Sequence, residues 1–345
     1  MASTLLLITD PDAPGGADLF SLELAKAALS RGIRTAIQPM PRSPDPLTRS
    51  FAASAFARDS DTVVVNGFQI DVLRAVRSMN KKTAVRLLGL PGVIEAAPSS
   101  ELLELLLAAD LLLLPTRHMI DTMRGLGLGE SSLHLVPFAY DRVPAESAAL
   151  LPLSAMPPVG FHMVCVIEDG MPAHSCFASL PIALSLMPND CHLSVIGDGA
   201  AAGALKGQAQ ELGVLGRTSF LGRLSRARTN QHLRFAQALL SPCVHMGYPV
   251  SALNAFSEGC PVIAADGGGH PELVIHGMNG LLIPPGGPRA IAEAAMRLRH
   301  SEGLSRSLIE NGIRTVKEHT WDRTALAAIE ALEALGTTAA SEDAA

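Results

Sequence analysis

Five pieces of the chain decide its fold: Leu193-Ser-Val-Ile-Gly-Asp-Gly199, Ser219-Phe-Leu-Gly-Arg-Leu-Ser225, Gly247-Tyr-Pro-Val250, Ala255-Phe-Ser-Glu-Gly-Cys-Pro-Val-Ile-Ala264 and Gly267-Gly-Gly-His-Pro-Glu-Leu-Val274. Short apolar runs at 161–167, 192–196, 219–221, 238–240, 262–264 and 280–283 alternate with helical patterns. Strands this short, apolar throughout and separated by helices, imply a parallel sheet covered on both faces. Gly247-Tyr-Pro-Val250 stands just ahead of a helix start, where free N–H groups and the helix dipole favour an anion.

The same alternation fills the first part of the chain. Strands are expected at 4–9, 35–38, 62–65, 83–88, 110–114 and 133–136. Between the first two, Leu19, Leu22, Glu23, Lys26 and Leu29 divide into faces at helical spacing. Residues 146–158 break the pattern with Ala, Ser and Pro, and read as a linker. Helical patterns at 290–299, 304–319 and 321–335 close the chain. The expected organisation is a first domain at 1–145, a second at 155–320, and a last helix at 321–336 packing back toward the first. Doubly wound sheets bind ligands outside the carboxyl ends of their strands, at the switch in strand order.

The composition excludes several classes. A length of 345 residues is about twice that of a typical domain, and 48% hydrophobic residues suffice for two cores. A net charge of −6 gives no reason to expect a nucleic-acid partner. The apolar run at 111–114 is far shorter than the ~20 residues a membrane-spanning helix needs, and Leu5-Leu-Leu-Ile8 reads as a first strand, with no basic segment before it to make a signal peptide. The five cysteines are an odd number without a C-x-x-C, so no disulfide framework and a reducing, cytoplasmic setting are expected.

In this order and spacing, the pieces resemble the retaining glycosyltransferases of the GT-B fold, family 4 in particular. Leu193–Gly199 resembles a strand ending in the family's G-D-G turn, and Ser219–Ser225 its R-F-L-G-x-x-S segment. Gly247–Val250 with Ala255–Ala264 resembles its G-F-P … A-M-A-x-G-x-P-V-V-A stretch. Gly267–Val274, Asn279-Gly-Leu-Leu-Ile-Pro-Pro-Gly286 and His319-Thr-Trp321 follow in family order. Earlier in the chain, Pro14-Gly-Gly16 resembles a glycine-rich first loop, and Pro137-Phe-Ala-Tyr-Asp141 the segment that closes the first domain.

The resemblance implies an α/β, GT-B architecture of two facing Rossmann-like doubly wound parallel-sheet domains. It implies a transferase that moves a sugar, with retention, from a nucleotide-diphosphate sugar to an acceptor, needing no metal and no cofactor beyond that donor substrate. The implied donor contacts are Gly15, Gly16, Gly197, Asp198, Leu221, Gly247, Tyr248, Pro249, Val250, Asn254, His270 and Glu272. For Gly15 and Gly16 an ordinary tight turn is the alternative, for Asp198 a turn-stabilising carboxylate, and for Glu272 a structural carboxylate in a first helical turn.

The family's charged residues are largely missing. Where the resemblance places an Arg and a Lys on the donor diphosphate, the chain reads Ile167-Glu-Asp-Gly-Met-Pro-Ala-His-Ser-Cys176. Glu168 and Asp169 would repel a diphosphate by roughly 4 kcal/mol per close pair at an effective dielectric of about 20. The family's two glutamates fall on Met246 and Asn254, and its first-domain histidine on Leu88 or Gly89. Arg223 is a candidate replacement cation, though an Arg after a strand is commonly just solvated.

Two readings follow: an active enzyme with a rebuilt site, or a catalytically inactive partner or regulatory subunit of a homologous glycosyltransferase. For the first, His174 and His245 are the candidate catalytic groups, on loops expected to meet near Cys176, Cys243 and His270. His174-x-Cys176 with Cys243-x-His245 also has the donor set of a tetrahedral zinc site; plain burial of a small cysteine is the alternative. Arg74, Arg77, Lys81, Lys82 and Arg86 concentrate cations. A solvated helix face explains them better than docking on an anionic membrane.

Overall fold

In the computed structural model, residues 4–9, 17–43, 45–67, 69–87, 100–140, 160–167, 176–244 and 247–342 are described. The expected linker at 146–158 lies outside them. The chain divides into two compact units, Met1–Ala139 with His319–Ala345, and Tyr140–Glu318.

The first unit runs β1 (Thr4–Thr9), α1 (Ala17–Ser30), β2 (Arg34–Pro39), α2 (Pro46–Ala57), β3 (Thr62–Asn66), α3 (Ile70–Ser78), β4 (Lys82–Arg86), α4 (Ser100–Leu107), β5 (Leu111–Leu114), α5 (Arg117–Gly125) and β6 (Leu133–Leu135). Its six strands lie in the order β2-β1-β3-β4-β5-β6, and every neighbouring pair is parallel. Strand alternation puts Leu5, Leu7, Val64, Leu111 and Leu113 in one core, and Leu6, Ile8, Val63, Val65, Leu112 and Leu114 in the other. Burial on both faces is why these strands are apolar without alternation. Side-chain caps start two helices: Asp45 accepts from Leu47 and Thr48 N–H at α2, and Thr116 from Met119 N–H at α5.

The second unit runs β7 (Phe161–Val166), α6 (Ser179–Ser185), β8 (Cys191–Ile196), α7 (Ala200–Glu211), β9 (Thr218–Gly222), α8 (Arg226–Phe235), β10 (Ala238–Ser241), α9 (Val250–Ser257), β11 (Val262–Ala265), α10 (His270–Leu273), β12 (Leu281–Ile283), α11 (Pro288–His300) and α12 (Glu302–Lys317). Its all-parallel order is β12-β11-β10-β7-β8-β9. Counted from β7, this is the doubly wound order 3-2-1-4-5-6, with its switch between β7 and β10. In the first unit the switch falls between β1 and β3.

After the second unit the chain returns to the first as α13 (Trp321–Glu342). Ala328, Ile329, Ala331 and Leu332 complete the core over α1 and β5. Thr324 donates to the Pro137 carbonyl at 2.7 Å and Lys82 to the Leu335 carbonyl at 3.0 Å. Small alanines let α13 approach closely, and Ile329 supplies its most deeply buried large side chain, 1% exposed.

The cations singled out in the first unit do not form one solvated face. Arg86 is buried with its guanidinium 3.9 Å from the Phe20 ring centroid. Lys82 is half-buried on Leu335, Lys81 donates to the Arg58 carbonyl, and Arg77 to the Ala108 carbonyl. Only a three-dimensional fold distinguishes such cations, because sequence spacing carries charge and not burial. Among the described residues no helix is long and apolar enough to cross a membrane.

Ile329→Ala should cost the first unit about 2–4 kcal/mol through lost burial and a residual cavity. Urea unfolding followed by hydrogen exchange should show β1 and β5 amides losing protection while β7 and β8 amides keep theirs. Equal loss in both units would contradict the assignment of α13 to the first.

Candidate functional site

The carboxyl ends of β7–β12 carry most of the residues singled out by sequence. At the end of β8 the backbone turns sharply. Gly197 has φ +116°, and a Cβ there would collide with the Ile167 carbonyl, so only glycine fits. Its N–H donates to the Gly222 carbonyl at 2.9 Å. The Asp198 carboxylate accepts the Gly199 N–H at 2.7 Å, just where α7 begins, and is exposed. That contact gives Asp198 a turn-stabilising role. Leu221, near the end of β9, is half-buried.

Between β10 and α9, Gly247, Tyr248 and Pro249 are buried and Val250 opens the helix. Burial pushes the Tyr248 phenol above its ordinary range, with the charge of Glu272 adding to the shift. Glu272 itself is exposed on α10. Asn254, 9% exposed within α9, keeps its Oδ1 without a hydrogen-bond partner. An orphaned acceptor of this kind costs free energy until a donor reaches it.

The far end of α9 is held by a polar cluster that the sequence did not announce. Tyr140, the first residue of the second unit, places its hydroxyl 2.5 Å from Ser257 Oγ, which donates to the Asn254 carbonyl at 2.7 Å. Glu258 Oε2 accepts from Arg234 Nε at 2.9 Å and Nη2 at 2.6 Å, while its Oε1 accepts from Asn230 Nδ2 at 3.1 Å. Arg226 lies 4.9 Å over the Tyr140 ring. These contacts fix the helix that carries Asn254. The only advance signal was an acidic residue, Glu258, in an otherwise apolar stretch.

His270 is fully buried at the start of α10, with Nε2 2.9 Å from Ser241 Oγ at the end of β10. Burial pushes its pKa down to about 4, so the ring is neutral near pH 7 and serves as an internal hydrogen-bond partner of Ser241. His162, bonded to Ser194 at 2.9 Å, is also pushed down to about 4, by burial and then by His232 and His192. The candidate residues Gly15, Gly16, His174 and His245 lie outside the described residues, as do Leu88, Gly89, Glu168, Asp169 and Met246.

One expectation is overturned. Cys176, on the approach to α6, and Cys243, just after β10, form a disulfide with Cα atoms 5.2 Å apart. They follow β7 and β10 in the chain, the two strands flanking the switch in order. The odd cysteine count concealed the pair because its members are separated by 67 positions. Bonded to each other, neither sulfur is the thiolate that the zinc reading required.

Residues 176–315 match the family model of the glycosyl transferases group 1. Over 126 residues the chain is 32% identical to the D-inositol 3-phosphate glycosyltransferase of Jonesia denitrificans, covering 36% of this chain and 30% of that protein. Over 138 residues it is 27% identical to an uncharacterized glycosyltransferase of Methanocaldococcus jannaschii, covering 40% of this chain and 35% of that protein. The match thus spans about a third of the length of these curated relatives. Among solved structures, sucrose-phosphate synthase from Thermosynechococcus elongatus is similar with a TM-score of 0.75 at 19% identity, over 97% of this chain and 100% of that one. Anabaena HepE in complex with UDP and glucose is similar with a TM-score of 0.75 at 16% identity, over 96% and 99%. At such identities the likeness is one of fold: this is an α/β protein of the GT-B fold. Within its second unit, residues 176–315 are similar to the glycosyl transferases group 1.

Thiol counting on the unfolded, unreduced protein should find three free cysteines, Cys165, Cys191 and Cys260, and five after reduction. Five without reductant would contradict the disulfide.

Stability of the second unit should also fall with acid. The folded pKa values of His162 and His270, about 4, lie below the ordinary 6.5, so the unfolded chain binds more protons in that window. Stability is full above pH 6.5 and declines as pH falls toward 4, by on the order of 3 kcal/mol per histidine. Urea midpoints across this range should show the decline, shallower in His270→Gln. An equal slope in that variant would contradict a buried neutral imidazole.

Proposed function

We propose that the protein is a glycosyltransferase that takes a nucleotide-diphosphate sugar at the carboxyl edge of its second sheet and passes the sugar, with retention, to an acceptor held by its first unit. The group 1 match over residues 176–315 is the observation that carries this reading. Known donors in the fold support it, since HepE is described in complex with UDP and glucose and with UDP-glucose. In the proposed complex, the backbone N–H groups of Gly247 and of Ser251, in the first turn of α9, donate to donor oxygens. The partnerless Asn254 side chain meets a ribose or sugar hydroxyl, which would satisfy its Oδ1. His174 and His245 are the proposed acid–base groups, and the donor is the only small molecule the reaction needs.

A second reading is favoured by one residue. Asn254 stands where the resemblance places a carboxylate, and an amide neither takes up a proton near pH 7 nor balances a developing positive charge. A non-catalytic partner would lack transfer and associate with an intact homologous glycosyltransferase.

A thermal-shift screen against nucleotide-sugars tests the proposal. A donor at about 100 times its Kd should stabilise by about 2.7 kcal/mol. Asn254→Ala should weaken that donor about tenfold, the worth of one lost hydrogen bond to a buried polar group. A stabilising donor with sugar transfer supports the enzyme, and the same donor without transfer supports the partner reading. No shift with any nucleotide-sugar would overturn the enzyme and favour the non-catalytic partner.

A further inference from the structure

The first unit carries a buried cation that meets no carboxylate among the described residues. Arg86 is the last residue of β4, 4% exposed, at the carboxyl edge of the first sheet. Among the described residues its guanidinium has neither a carboxylate nor a hydrogen-bond partner, only the face of Phe20 at 3.9 Å. Burial alone shifts it, down to about 9. Leaving a guanidinium out of water without a counter-charge is costly, and an aromatic face offsets only part of that cost.

A second, independent observation lies beside it. Asn66 is the last residue of β3 and the register partner of Arg86, so the two side chains leave the sheet on the same face. Asn66 is 2% exposed, donates Nδ2 to Ser21 Oγ at 2.8 Å, and has Oδ1 without a partner. Turning the amide by half a rotation lets Ser21 donate to Oδ1 and frees Nδ2 as a donor. Phe20 and Ser21, adjacent on α1, therefore hold Arg86 and Asn66 from one side. The edge sits next to the β1/β3 switch in strand order, where a doubly wound sheet opens a crevice.

We propose that Arg86 and Asn66 form an anion subsite in the first unit that receives a phosphate or carboxylate group of the acceptor. The planar guanidinium offers paired N–H donors that match two oxygens of either group, and the Asn66 amide adds a third donor. Naming the anion as part of the acceptor rests on the glycosyltransferase reading; the presence of an anion site does not.

Calorimetric titration of the full chain at low ionic strength tests this without turnover. The probes are inorganic phosphate, glucose 6-phosphate, glucuronate and glucose, each with and without saturating UDP. One or both charged sugars should bind at least tenfold more tightly than glucose, and which of them does so separates phosphate from carboxylate recognition. Saturating UDP should leave that binding in place; competition by UDP would show the subsite to be part of the donor site and overturn the acceptor assignment. Arg86→Met should abolish the preference and Arg86→Lys should restore only part of it. Equal affinity for all three sugars, or an unchanged preference in folded Arg86→Met, would overturn the subsite.

Should Arg86→Met fail to fold, the side-chain Nε–H resonance of Arg86 in the unmodified protein, assigned from Arg86→Lys, gives the same answer. It should shift saturably with inorganic phosphate, and a resonance that stays fixed would overturn the proposal. Nucleotide-sugar stabilisation, measured separately, reports on the glycosyltransferase reading, so either can fail without the other.

Discussion

Parallel strands can be joined only by crossovers, and that constraint organises both units. Each crossover returns the chain to the same end of the sheet, so every strand finishes on one edge. In the second unit the edge collects the ends of β7 through β12, and with them the turn at Gly197, the start of α9 and the Ser241–His270 pair. In the first it collects Asn66 and Arg86.

Neutral or locally bonded groups hold the second unit's edge, and Asn254 Oδ1 is left there without a partner. His270 is uncharged and bonded to Ser241, and Asp198 is turned onto its own helix start, while at the opposite end of α9 Glu258 is matched by Arg234 and Asn230. The disulfide ties the approach to α6 to the segment after β10. This rigidity favours a site whose contacts to a ligand come from backbone N–H groups and one amide, because such groups work only when already in place.

Much of this was legible beforehand. Runs such as Leu111–Leu114 carry their own burial, and a turn that excludes a Cβ must be glycine, as at Gly197. Two parallel sheets follow from the alternation of strands and helices, but their strand orders do not, since the same alternation gives β2-β1-β3-β4-β5-β6 in the first unit and β12-β11-β10-β7-β8-β9 in the second. What escaped depends on distance in space. Cys176 and Cys243 are near only because β7 and β10 are neighbours, and Arg86 looks like any surface cation until its burial against Phe20 is seen. The resemblance implied a donor contact at His270, and only the fold shows that ring buried, neutral and bonded to Ser241.

The central claim is that the carboxyl edge of the second sheet holds the nucleotide-sugar proposed above. A crystal structure of the full chain grown with a saturating UDP-sugar tests it most directly. The account predicts the diphosphate against the backbone of Gly247–Val250, with a ribose or sugar hydroxyl within hydrogen-bond distance of Asn254. A nucleotide seated instead at the carboxyl edge of the first sheet, or crystals that remain free of nucleotide at saturation, would contradict it.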